Sequence, residues 1–125
     1  MTSTALRTAL AFHEAWTSKN LEKAMTYVAD DILCDAPAGR IEGAPAYRAF
    51  MAPFVEMLLD ATLIAAFGDN DRAVVVYDTR TTLVASGPAA EYVTITAGKI
   101  SYNRFIFDRA PFMAARLANV DPTHS

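Results

Sequence analysis

Glu91-Tyr92-Val93-Thr94-Ile95-Thr96, then Ala97-Gly98-Lys99, then Ile100-Ser101-Tyr102-Asn103-Arg104-Phe105-Ile106-Phe107-Asp108: two runs rich in β-branched and aromatic residues flank a short turn. Glycine supplies the positive φ that such a turn needs, so the stretch predicts a long antiparallel hairpin. On its second arm, strand alternation groups Ser101, Asn103, Phe105 and Phe107 on one face and Tyr102, Arg104, Ile106 and Asp108 on the other. Upstream lie two more strand-like runs, Thr62 to Phe67 and Arg72 to Val84, separated by Gly68-Asp69-Asn70-Asp71 and followed by the breaker Ser86-Gly87-Pro88. Everything after Asp60 therefore reads as strand.

The first half has the other period. Ser3 or Thr4 can cap a helix reaching about Ser18, with Leu6, Ala9, Leu10, Phe12 and Trp16 at helical spacing. Asn20 caps a second helix to about Val28, closed by Asp30-Asp31. Ile32 to Asp35 and Arg40 to Glu42 form a hairpin around Ala36-Pro37-Ala38-Gly39. From Ala44 to about Leu59, Tyr47, Phe50, Met51, Phe54, Val55 and Leu58 recur at helical spacing, with a bend expected at Pro53. The tail, 111–125, reads as a short helix or as disordered. Helices followed by a run of strands predict an α+β fold: a cone-shaped, curved antiparallel or mixed sheet packed against three N-terminal helices. Residues 1–125 read as one domain with its core at about 4–108. A curved sheet covered on one side leaves a wedge that large side chains or a ligand must fill.

Composition narrows the function. Of 125 residues, 53% are hydrophobic, enough for one continuous core. The net charge of -3 offers no field to attract a nucleic acid backbone or an anionic membrane. Cys34 is the only cysteine, so no internal disulfide or multi-cysteine metal motif can form, and a reducing cytoplasm is expected. The opening Met1-Thr2-Ser3-Thr4 reads as a helix start rather than a secretion signal, and no apolar run approaches a membrane span.

The chain resembles the superfamily of nuclear transport factor two, which includes ketosteroid isomerases, limonene epoxide hydrolases and polyketide cyclases of the SnoaL type. The resemblance spans roughly Thr4 to Asp108. It is carried by Tyr27-Val28-Ala29-Asp30-Asp31-Ile32-Leu33-Cys34-Asp35-Ala36-Pro37, by Gly43 with Ala46-Tyr47-Arg48-Ala49-Phe50, and by Ala97-Gly98-Lys99-Ile100 leading to Phe105-Ile106-Phe107-Asp108. It implies a pocket between the concave sheet face and the helices, and a dimer through the outer face. Because this fold hosts many activities, it does not choose among them.

Ketosteroid isomerases set a general-base aspartate directly before the proline of the first hairpin, a position held here by Ala36. Asp35 lies one residue earlier, so it faces the other way unless a bulge at Ala36-Pro37 re-aims it; otherwise it is a solvated turn residue. Their oxyanion hole uses a tyrosine on helix one and a protonated acid on a late strand. The matching positions are Phe12, which cannot donate, and Glu91, either a pocket acid or an edge carboxylate. Asp78 and Arg80 resemble the aspartate and arginine of the epoxide hydrolases, but in reversed order and with Phe105 in place of the last-strand acid, so epoxide hydrolysis is not expected. Strand 72–84 admits two registers: Asp78 and Arg80 inside, or Tyr77, Thr79 and Thr81 inside.

His13 is either a proton carrier or a structural residue beside Phe12 and Trp16. Cys34 reads as inert core, and two histidines without ligand spacing assemble no metal site. His124 is given no role. The expectation is a pocket for a small apolar molecule, with no cofactor, lined by Phe12, Trp16, Phe50, Phe54, Arg80, Asn103, Phe105 and Phe107. Asp35, Asp78 or Glu91 would serve proton transfer on a carbonyl-bearing substrate, as in an isomerase, cyclase or hydratase. The alternative is a non-catalytic binding or interaction module. Tyr102, Ile106 and either Tyr77 or Val76 would form an apolar outer patch suited to a homodimer.

Overall fold

The computed structural model describes residues 3–119, so His124 lies outside them. The order is α1 (Thr4–Thr17), α2 (Leu21–Met25), β1 (Val28–Ala36), β2 (Gly39–Glu42), α3 (Ala44–Met57), β3 (Leu58–Gly68), β4 (Arg72–Thr81), β5 (Gly87–Thr96), β6 (Lys99–Phe107) and α4 (Ala110–Asn119). The six strands form one mixed sheet, β2-β1-β6-β5-β4-β3, antiparallel except where β1 runs parallel to β6. Register shifts in β1, in β3 and between Thr94 and Ile95 mark bulges, which bend strands and add twist. This is the expected α+β cone of three helices on a curved sheet, with a fourth helix added.

Helix α1 buries Ala5, Ala9, Phe12 and Trp16 against the concave face. Ser3 makes no side-chain cap. Instead the β3–β4 turn caps α1: the Thr4 N–H donates to Asn70 Oδ1 and the Ala5 N–H to the Asp69 carbonyl, each at 3.1 Å. Asn20 does cap α2, accepting from the Lys23 N–H. That helix ends earlier than its sequence suggests, because the Tyr27 carbonyl accepts from the Ile100 N–H and draws the chain alongside β6. Asp30 and Asp31 accordingly lie within β1 rather than closing α2; they are exposed and precede the residues paired with β2.

Gly43, at φ 88°, turns the chain from β2 into α3 and donates its N–H to the Ile32 carbonyl. The helix runs unbroken through Pro53 and buries Tyr47, Met51 and Val55. In the β5–β6 turn, Ala97 and Gly98 both take positive φ, 52° and 78°. Strand β4 turns Ala73, Val75, Tyr77, Thr79 and Thr81 inward and leaves Arg72, Asp78 and Arg80 exposed. That decides between the two registers, and it removes Tyr77 from the outer patch. On β3, Leu63, Ile64 and Phe67 are 47%, 57% and 70% exposed, so the apolar surface extends toward that edge of the sheet. No helix among the described residues is long and apolar enough to cross a membrane.

Candidate ligand-binding site

Between α3, α4, the β1–β2 turn and the inner faces of β4 to β6 lies a cavity of about 270 Å³. Its aromatic wall contains Trp16, Phe50, Phe54, Phe105 and Phe107, all expected from the sequence, joined by Met51, Met57 and Phe112. The rings interlock: Phe50 meets Phe105 at 5.7 Å, Trp16 meets Phe54 at 5.9 Å, and Phe112 of α4 meets Phe107 at 5.9 Å. Such spacings fit offset and edge contacts between aromatic quadrupoles. Strand β5 comes close to β4 here because residue 87 is glycine. A Cβ there would stand 2.8 Å from Thr79 Oγ1, the hydroxyl that donates to the Gly87 carbonyl.

Behind the inner end of the cavity sits a buried polar cluster. Asn103, fully buried, donates from Nδ2 to Glu91 Oε1 at 3.1 Å and accepts at Oδ1 from the Tyr47 hydroxyl at 3.1 Å. The Cys34 thiol also points at Oδ1, at 3.8 Å. Glu91 is 2% exposed, and burial pushes its carboxyl up to about 7, although the adjoining Tyr77, Asn103 and Trp16 donors oppose that rise. Those neighbours are not all well aligned: Glu91 Oε2 and Trp16 Nε1 are buried without a hydrogen-bond partner. Tyr77 and Trp16 are therefore the residues that join cluster to cavity, since both line the cavity and both adjoin Glu91.

His13 packs on Tyr77 at 4.7 Å and on Trp16 at 5.4 Å, and burial lowers its imidazole to about 4. It is thus neutral near pH 7, with Nδ1 unpartnered. Burial likewise raises the Cys34 thiol to about 12, which keeps it from being a thiolate. Among the described residues, no group of three His, Cys, Asp or Glu side chains is placed to hold a metal ion.

Several residues singled out in the sequence lie away from the cavity. Alternation in β1 buries Cys34 and turns Asp35 to the outer face, where it pairs bidentately with Arg40 at 3.0 Å and accepts from the Tyr102 hydroxyl at 2.6 Å. The Arg40 and Tyr102 hydrogen bonds hold its carboxyl down at about 2. Asp78 is exposed on the outer face of β4, and Arg80 beside it bonds Asp60 of β3 at 2.6 Å. Phe12 fills the core against Tyr47, and Asn103 serves Glu91 and Tyr47; neither lines the cavity. Tyr77 and Thr79 line the cavity because β4 adopts the register that turns them inward, one of the two the sequence allowed, whereas the contribution of Arg109 and Arg116 with α4 was not foreseen. For α4 the only signal is a brief apolar spacing, Phe112, Met113 and Leu117, directly after Pro111.

With this geometry in view, the chain compares as follows. The profile of the SnoaL-like domain matches residues 9–103. A crystal structure of a protein from Kribbella flavida DSM 17836 is 50% identical, covering 95% of this chain and 98% of that one, with a TM-score of 0.92. An NTF2-like protein of unknown function from Cytophaga hutchinsonii ATCC 33406 is 19% identical over 90% of this chain and 97% of its own, with a TM-score of 0.76. A limonene-epoxide-hydrolase-like epoxide hydrolase from M. tuberculosis is 14% identical over 94% and 92%, with a TM-score of 0.72. At such identities the last two show the fold alone. No curated protein matches. The profile match over most of the chain, on a curved six-stranded sheet closed by helices that shares its fold with NTF2-like proteins, establishes that this protein belongs to the SnoaL-like family.

Proposed function

We propose that the protein binds a small, mainly apolar molecule in the aromatic cavity and turns a carbonyl oxygen of that molecule toward Tyr77 and Trp16. The observation that carries this reading is the junction at the inner end of the cavity: Tyr77 and Trp16 both line the aromatic wall and both adjoin Glu91, and Trp16 Nε1 and Glu91 Oε2 are buried there without a well-aligned partner. Polar groups left under-satisfied beside an apolar cavity are costly, and a ligand oxygen drawn to the Tyr77 and Trp16 end would lower that cost. The volume, about 270 Å³, lies just below the range of roughly 300–1,000 Å³ common for ligand pockets, so the occupant is small. Trp16 is the only tryptophan of the chain, so its fluorescence reports occupancy directly. Titration with 4-phenyl-2-butanone should shift that emission, and an unchanged spectrum at millimolar ketone would sink the reading.

Proton transfer is favoured by one further observation. A carboxyl titrating at about 7 suits a general acid or base at neutral pH, and Glu91 adjoins the cavity-lining Tyr77. In this reading Glu91 takes or returns a proton through the Tyr77 hydroxyl, as an isomerase, cyclase or hydratase requires, while Asp35 and Asp78 take no part. Glu91→Gln should then slow deuterium incorporation next to the bound ketone's carbonyl by about 10²-fold or more, with ketone affinity retained. Equal exchange in both proteins would leave a binding module without catalysis. A homodimer is proposed as well, through the sheet surface where Leu63, Ile64 and Phe67 are exposed; a monomer mass by light scattering at micromolar concentration would end that proposal.

A further inference from the structure

We propose that the cavity mouth is an anion anchor, so that the ligand class is a small apolar molecule ending in a carboxylate; this rests on the reading that the cavity is a ligand site. Arg109 and Arg116 both line the cavity, both are exposed, and among the described residues neither forms an ion pair with a carboxylate. The nearest acid in sequence, Asp108, is engaged otherwise, accepting from the Ala110 N–H at 2.9 Å.

Two guanidiniums with no carboxylate partner among the described residues, beside one largely apolar cavity, are notable in a chain of net charge -3. Helix stability explains only one of them. Arg116 stands in the last turn of α4, where a cation complements the helix dipole, but Arg109 directly precedes the helix, where a cation is disfavoured. Guanidinium forks match a carboxylate's geometry, and Phe112 and Met113 between them supply the apolar surface leading inward. The ligand would enter apolar end first, toward Trp16 and Tyr77, and leave its carboxylate at the arginines. In a carbonyl-bearing substrate the two polar groups would thus be separated by the length of the aromatic wall.

The test compares 4-phenylbutyrate with 4-phenylbutanamide, which differ in charge, on the full-length chain, read by Trp16 fluorescence and by calorimetry. The acid should bind about tenfold more tightly than the amide, and its advantage should shrink as salt rises. In the Arg109→Gln/Arg116→Gln double variant the acid should fall to the amide's affinity while the amide's stays unchanged. Equal binding of acid and amide by the unsubstituted protein, or a preference that survives the double substitution, overturns the anchor and leaves the pocket reading intact. Failure of both compounds to perturb Trp16 overturns the pocket reading itself, and the anchor with it.

Discussion

The two ends of the cavity are built on opposite principles. At the inner end Glu91, Asn103, Tyr47 and Cys34 are shut away from water and bonded to one another, so charge there is suppressed, and of these only Glu91 is brought near neutrality. At the outer end Arg109, just before α4, and Arg116, in its last turn, stand exposed beside a short helix held by Phe112. The first arrangement is intolerant because Asn103 serves both Glu91 and Tyr47, so the loss of one group leaves the others unpaired. The second is adaptable, because an exposed cation is already solvated. In the proposed reading, selectivity by charge belongs to the mouth and proton chemistry to the base.

The sharpest way to break this contrast is pH. The Glu91 carboxyl is raised from its ordinary 4.5 to about 7, so its contribution is complete below 4.5 and is lost as pH climbs through 7. His13 is lowered from 6.5 to about 4, so its contribution is present above 6.5 and is lost as pH falls through 4. The two slopes oppose each other over the same window, and the unsubstituted protein should be nearly flat there. Glu91→Gln should expose the His13 limb, with stability rising by on the order of 3 kcal/mol from pH 4 to 6.5. His13→Gln should expose the Glu91 limb, with stability falling from pH 4.5 to 7. Urea unfolding across that range measures both, and flat profiles in both variants would refute the assignment.

Asn103→Leu strips partners from Glu91 Oε1 and the Tyr47 hydroxyl, and should cost about 2 kcal/mol in urea unfolding at constant pH. Phe112→Ala at the mouth should cost less, about 1 kcal/mol, because a terminal helix can undock without opening the rest of the fold. Its larger consequence is weaker binding of the phenylbutyrate probe. Asp35→Asn should alter neither ligand binding nor proton exchange. Its effect should be on stability alone: with Asp35 held at about 2 against an ordinary 3.8, its contribution is present above 3.8 and lost as pH falls through that interval, so the variant should start slightly less stable at neutral pH and lose less in acid.

Strand alternation made much of this legible. Asn103, Phe105 and Phe107 face inward and Arg104 and Ile106 outward because a two-residue period has only two phases, and the phenylalanines choose one. Strand β4 lacked such a vote, since Val74 and Val76 match Val75 and Tyr77 in apolar character; only its pairing with β3 and β5 settled the matter. Asp30 and Asp31 look like helix breakers until one sees that they precede the part of β1 paired with β2. The mouth was hidden because α4 is a short, alanine-rich segment that follows a proline and reads equally well as a tail, and its arginines acquire meaning only beside a cavity formed by residues distant in sequence.

The docking of the first helical turn onto the Asp69-Asn70 turn bears on how the molecule is made. The hydrogen bond from the Thr4 N–H spans 66 residues, so the first turn of α1 waits for the β3–β4 ribbon before its own amides are secured. Non-local closure of this kind slows assembly, and pulsed hydrogen exchange during refolding should find Thr4 and Ala5 protected no earlier than that ribbon.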